Sequence, residues 1–137
     1  MIFEITGSAP STASTAAVGD PVTGLAKYSQ LRVTAQFAGN TGGTLNVYLQ
    51  RYDAGRELWL DWVSFPQKTS GGASNIQTLN ASQEINDIFV VGSGTTPALT
   101  ADTFTGGHPG NSVRCVAVSG SSTSAGATVN ISIEALH

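Results

Sequence analysis

Leu31, Val33, Ala35 and Phe37 alternate with Arg32, Thr34 and Gln36. A period of two is the mark of a strand with one face buried. The pattern returns in Leu45, Val47 and Leu49 against Asn46, Tyr48 and Gln50, and again in Leu58, Leu60 and Trp62. It closes the chain as Ala127, Val129, Ile131, Ile133 and Ala135 against Thr128, Asn130, Ser132 and Glu134. Val113 to Val118 is apolar on both faces, Ile85 to Val91 reads as a short buried strand, and Ile76 to Asn80 reads as a weak edge segment. Ile2 to Thr6 is a short strand.

Between these runs stand turns: Gly39-Asn40-Thr41-Gly42-Gly43, Asp53-Ala54-Gly55-Arg56 and Gly120 to Gly126. Gly92 to Asn111 is a long loop that Leu99 and Phe104 pin to the body. Roughly seven to nine short strands with no helical period predict an antiparallel β-sandwich, jelly-roll-like. The hairpin of residues 45–62 allows a register. If Tyr52 lies opposite Glu57 across a four-residue loop, Leu49 faces Leu60 and Val47 faces Trp62, so both apolar sets share a side.

Residues 7–24 are almost all Gly, Ala, Ser, Thr, Pro, Val and Asp. Such a stretch cannot bury enough surface to fold alone. It is expected as an extended arm held by its own domain, by a neighbouring subunit or by both. The organisation expected is therefore an N-terminal strand and arm over 1–24 and a sandwich over 25–137.

Composition changes the picture in one respect. Charged residues make up 11% of the 137, against about one quarter in a typical soluble domain. A surface of Ser, Thr, Asn, Gln and Gly resists association poorly, because few charges oppose desolvation at a contact. The same composition also suits a small, stiff, neutral-surfaced β domain. The net charge is −3, and the six Lys and Arg form no cluster to track phosphates, so no nucleic-acid partner is expected. No apolar run approaches the ~20 residues of a membrane span, and no signal peptide is recognisable at the N-terminus, so no membrane partner and a cytoplasmically made product are expected.

Candidate chemistry is sparse. The single cysteine, Cys115, lies in an apolar strand and reads as a small hydrophobe. His108 sits in a Gly-Gly-His-Pro-Gly turn and His137 is terminal, and neither has a His or Cys at ligand spacing. No Ser stands in a nucleophile elbow, and Gly39 to Gly43 leads into a strand rather than a phosphate-binding helix. Asp53, Glu57 and Asp61 share one hairpin, but Asp53 and Glu57 belong to its turn. No catalytic residue, cofactor or metal is expected, and the chain reads as a non-enzyme.

The other face of the hairpin carries Tyr48, Gln50, Tyr52, Trp59 and Asp61. Aromatic rings beside amide and carboxylate groups can anchor a protein interface or stack on sugars. A plainer alternative is that this face is the second side of a packed sheet, with Trp59 under a loop.

Gly43-Thr44-Leu45-Asn46-Val47-Tyr48-Leu49-Gln50, Asp53-Ala54-Gly55 and Trp59-Leu60-Asp61 together resemble a pattern found in small virion proteins of tailed bacteriophages. Gly92-Ser93-Gly94-Thr95-Thr96-Pro97-Ala98-Leu99 resembles a loop of theirs. Ser122-Thr123-Ser124-Ala125-Gly126-Ala127, leading into Val129-Asn130-Ile131, resembles their last turn. The likeness spans most of residues 30–135 and departs from the pattern at Ala54-Gly55-Arg56, where two glycines would stand. It implies a capsid decoration, or cement, protein with a jelly-roll-like fold. Such a protein binds the major capsid protein on the outer head surface, associates with its own copies there and has no active site. The runner-up readings are a head-fibre or tail accessory and a carbohydrate-binding or host-adhesion module with Trp59, Tyr48 and Tyr52 as its platform.

Overall fold

The computed structural model describes residues 1–8, 16–38, 44–67, 75–80, 90–120 and 128–136. In these residues the chain is all-β, with one 3-10 turn at Leu25–Lys27 and no α-helix. The strands are β1 (Ile2–Ser8), β2 (Ala16–Val18), β3 (Gln30–Ala38), β4 (Leu45–Asp53), β5 (Leu58–Ser64), β6 (Asn75–Asn80), β7 (Thr103–Phe104), β8 (Val113–Ser119) and β9 (Thr128–Leu136). They form two antiparallel sheets, β1-β9-β3-β6 and β2-β8-β4-β5-β7.

The two sheets are layers of a β-sandwich because each carries one apolar face. Ile5 of β1, Leu31, Val33, Ala35 and Phe37 of β3, and Val129, Ile131, Ile133 and Ala135 of β9 are buried. They share one core with Leu45, Val47 and Leu49 of β4, Trp62 and Val63 of β5, and Val113, Cys115 and Ala117 of β8. Each large apolar side chain taken out of water contributes about 1.5–3 kcal/mol. A slip of one residue in any of these strands would reverse its faces, so the core also sets the register. Leu99 is buried and Phe104 packs edge-on against Trp62 with centroids 5.8 Å apart, so both pin the long loop as expected.

The hairpin register differs from the one expected. Tyr52 pairs with Trp59 and Asp53 with Leu58, which makes residues 54–57 the loop. The cause lies in the turn. Asp53 Oδ1 accepts the Arg56 amide at 3.1 Å, its Oδ2 takes the Arg56 guanidinium at 3.0 Å, and Glu57 adopts a left-handed φ of 56°. An acid that caps the amide three residues on fixes where the chain reverses. The pairing then shifts between Leu49 and Gln50, with Leu49 opposite Val63 and Gln50 opposite Asp61. Trp62 is the bulged residue, so Trp62 and Val63 are both buried.

The N-terminal segment is built into the domain wherever it is described. β1 pairs with β9, β2 pairs with β8, and Val22 bridges to Val113. Residues 9–15 lie outside the described residues. So do most of the strand expected at 85–91, the turns 39–43 and 121–127, and His137.

Candidate functional site

Asp61 sits mid-strand in β5 on the face turned away from the core, yet it is only 2% exposed. The residues that cover it come from the long loop. Ser93 bridges to Leu60, the Asp61 amide donates to the Gly92 carbonyl at 3.1 Å, and the Gly94 amide donates to the Trp59 carbonyl at 2.9 Å. The loop thus runs along β5 before folding over its side chains.

The Asp61 carboxylate holds that fold. Its Oδ2 accepts the backbone amides of Gly92 at 2.9 Å, Ala98 at 2.8 Å and Leu99 at 2.9 Å. Its Oδ1 accepts the Gln50 side-chain amide at 2.9 Å. Gln50, fully buried on the paired strand, accepts the Arg114 Nε–H at 3.0 Å through its own oxygen. A guanidinium on one side and a carboxylate on the other leave Gln50 one orientation that satisfies both. Arg114 donates a second bond to the Gly94 carbonyl at 2.9 Å, and its guanidinium lies 4.7 Å from the Trp59 ring centroid. Partial burial lowers the Arg114 pKa from its ordinary value.

The five residues that share this face in the sequence do share it in the structure, in three different states. Gln50 and Asp61 are internal. Tyr48 and Trp59 are half-buried, and burial, followed by the Asp61 charge, pushes the Tyr48 phenol above its ordinary pKa. Only Tyr52, 38% exposed, is open to solvent. The Tyr52 and Trp59 rings lie 5.2 Å apart and are tilted by 54°, and Arg114 already occupies a position over Trp59. This is not a coplanar stacking platform.

Arg114 is the member of the cluster that sequence reasoning missed. The only signal was its place as a cation inside the apolar run 113–118, where a charge needs a partner. The other candidates stay apart. The Cys115 thiol is buried and burial pushes its pKa up to about 12. His108 Nδ1 accepts the Gly110 amide at 3.1 Å within its own turn, while its Nε2 is buried with no partner among the described residues. Among the described residues, no three His, Cys, Asp or Glu side chains group to hold a metal, and no helix is long and apolar enough to cross a membrane.

The arrangement does mechanical work. It ties a loop to a sheet through a carboxylate, an amide and a guanidinium. No protein family, curated protein or solved structure matches the chain.

Proposed function

We propose that this protein is a non-enzymatic structural component of a tailed-bacteriophage virion, a decoration protein that binds the outer head surface and stabilises the major capsid subunits. The observation that carries this reading is the Asp61 network. Gln50, Asp61 and the loop 92–99 are three separate stretches of the resemblance to small virion proteins, and in the fold they are bonded partners. On this reading the pattern is the scaffold of one sheet-and-loop unit.

Two further features support it. The strand order β1-β9-β3-β6 against β2-β8-β4-β5, with β7 at one edge, supports a jelly-roll-like reading of the sandwich. That architecture serves viral capsid and lectin domains alike. The outer face of the four-stranded sheet presents Thr34, Gln36, Asn130 and Ser132, with Arg32 paired to Glu134 at 3.6 Å. A nearly neutral, hydrogen-bonding face of this kind suits close contact with a protein lattice, where buried area repeated over many copies supplies the stabilisation. A lectin role would be favoured by exposed coplanar rings, and the tilted Tyr52–Trp59 pair does not offer them.

The test is made on particles. Heads carrying the protein and heads stripped of it are heated, and the temperature of genome release is read. Many copies per head and a lower release temperature on stripping are the expected results. Absence from particles would refute the reading, and presence without any effect on head stability would reduce it to an accessory role.

A further inference from the structure

We infer that the edge of β1 with which no described strand pairs is a self-association site, at which a second copy of this chain adds its own β1 antiparallel, centred on Ile5. The inference gives a surface to the self-association expected of a decoration protein, but it stands on the isolated chain and needs no particle.

The Ala135 amide donates to the Met1 carbonyl at 2.8 Å, and the Met1 amino group donates to the Ala135 carbonyl at 3.4 Å. Met1 and Ala135 therefore form a hydrogen-bonded pair. Such pairs recur at every second residue of an antiparallel ladder. Phe3, Ile5 and Gly7 thus direct their N–H and C=O groups to Ile133, Ile131 and Val129. Ile2, Glu4, Thr6 and Ser8 direct theirs the other way, where no described strand pairs with β1.

Among the described residues this edge lacks the usual defences. Monomeric proteins blunt an edge strand with a bulge, a proline, a lysine or extreme shortness. β1 runs in unbroken register over seven residues, contains no proline or lysine, and carries a single charge, Glu4. At its start Met1 and Ile2 are 64% and 66% exposed.

The occupant follows from register. Outward-directed residues can bond only to outward-directed residues, so in a symmetric pair Ile2, Glu4, Thr6 and Ser8 must meet one another. Centring the two-fold on Ile5 sets Ile2 opposite Ser8 of the second copy and Glu4 opposite Thr6. All four outward residues on each side are then used, and each pair exchanges two bonds. Centring on Glu4 instead would oppose two carboxylates directly, which is unfavourable. The sequence of β1 is thus self-complementary in the register that uses the whole edge. The product is a continuous eight-stranded sheet from two copies of β1-β9-β3-β6.

The experiment uses the intact chain in solution. Sedimentation over a dilution series from millimolar to micromolar reads the mass, and amide hydrogen exchange is read residue by residue. The expected species is a reversible dimer of twice 14.0 kDa. Protection should rise on association at the Glu4, Thr6 and Ser8 amides, while Phe3, Ile5 and Gly7 are protected in both states. In T6P the proline removes an outward N–H that the β1–β9 ladder does not use, a position where an edge strand tolerates proline. That variant should keep its circular dichroism and weaken dimerisation by about tenfold or more. A chain that is monomeric throughout overturns the inference. So does a dimer in which the Glu4 and Thr6 amides exchange as fast as in the monomer, whatever T6P does.

Discussion

Gln50 and Asp61 face each other across the β4–β5 hairpin and join at 2.9 Å, a polar pair buried on the outward side of a sheet. The carboxylate's second oxygen gathers three backbone amides from a loop more than thirty residues further along the chain. Asp61→Ala leaves those buried donors and the Gln50 amide without an acceptor. Each buried orphan costs about 1–3 kcal/mol, so the expected loss is about 3–5 kcal/mol once the loop has partly relaxed into water. Asp61→Asn should cost less, about 1–3 kcal/mol. It can keep an oxygen toward the loop, but only by turning its NH2 group against the Gln50 donor. Urea unfolding measures both, and hydrogen exchange at Gly92, Ala98 and Leu99 should accelerate before the core amides do.

Arg114 closes the relay from the other side. Its planar fork serves the Gln50 oxygen and the Gly94 carbonyl at once and lies over Trp59. Lysine has the charge without the fork, so Arg114→Lys should lose one of the two bonds and part of the stacking, about 1–2 kcal/mol in all. Trp59 fluorescence should shift to the red as its ring gains water. An unchanged spectrum together with unchanged stability would show that Arg114 does not hold the loop.

Gly92 is where the loop passes closest to itself. A side-chain carbon there would overlap the Thr96 carbonyl oxygen and the Ala98 amide nitrogen, and it would meet the Pro97 carbonyl carbon at 2.7 Å. These are backbone atoms and cannot step aside alone. Gly92→Ala should open the 92–99 fold and cost about 2–4 kcal/mol, on the scale of other substitutions that force the backbone to move. If the loop is the element that matters, Gly92→Ala and Asp61→Ala should be strongly non-additive in a double-mutant cycle.

The strands were legible because β3, β4 and β9 each bury one face, and alternation reports a buried face directly. The hairpin register was not legible, because the turn is placed by Asp53 capping Arg56 rather than by matching apolar sets. The true loop shifts the pairing near it by two residues, which preserves the faces. Tyr48, Gln50, Tyr52, Trp59 and Asp61 therefore stayed together although their partners changed. What alternation cannot tell is whether a polar face meets water or a loop. Gln50 and Asp61 look outward in period two, and only the non-local bonds to residues 92–99 make them internal. The bulge at Trp62 had no signal of its own, since Trp62-Val63 reads as an apolar pair in any strand.

Cys115 offers a check of the core that does not depend on the loop. Burial pushes its thiol up to about 12, while an unfolded thiol titrates near 8.5–9. The folded state therefore holds its proton across a window in which the unfolded state releases it. The sign follows from linkage: the favourable contribution is complete below pH ~8.5 and is lost as the pH rises toward ~12, by up to about 1.4 kcal/mol per pH unit. Other groups titrate in the same range, so the useful quantity is the difference between wild type and Cys115→Ala. Urea unfolding from pH 7.5 to about 10.5 should show wild-type stability falling faster than that of the variant, while a thiol reagent at pH 8 should label Cys115 only as fast as the protein unfolds. Rapid labelling of the folded protein, or parallel pH slopes for the two chains, would mean that the Cys115 side chain does not lie in the core between the two sheets as described.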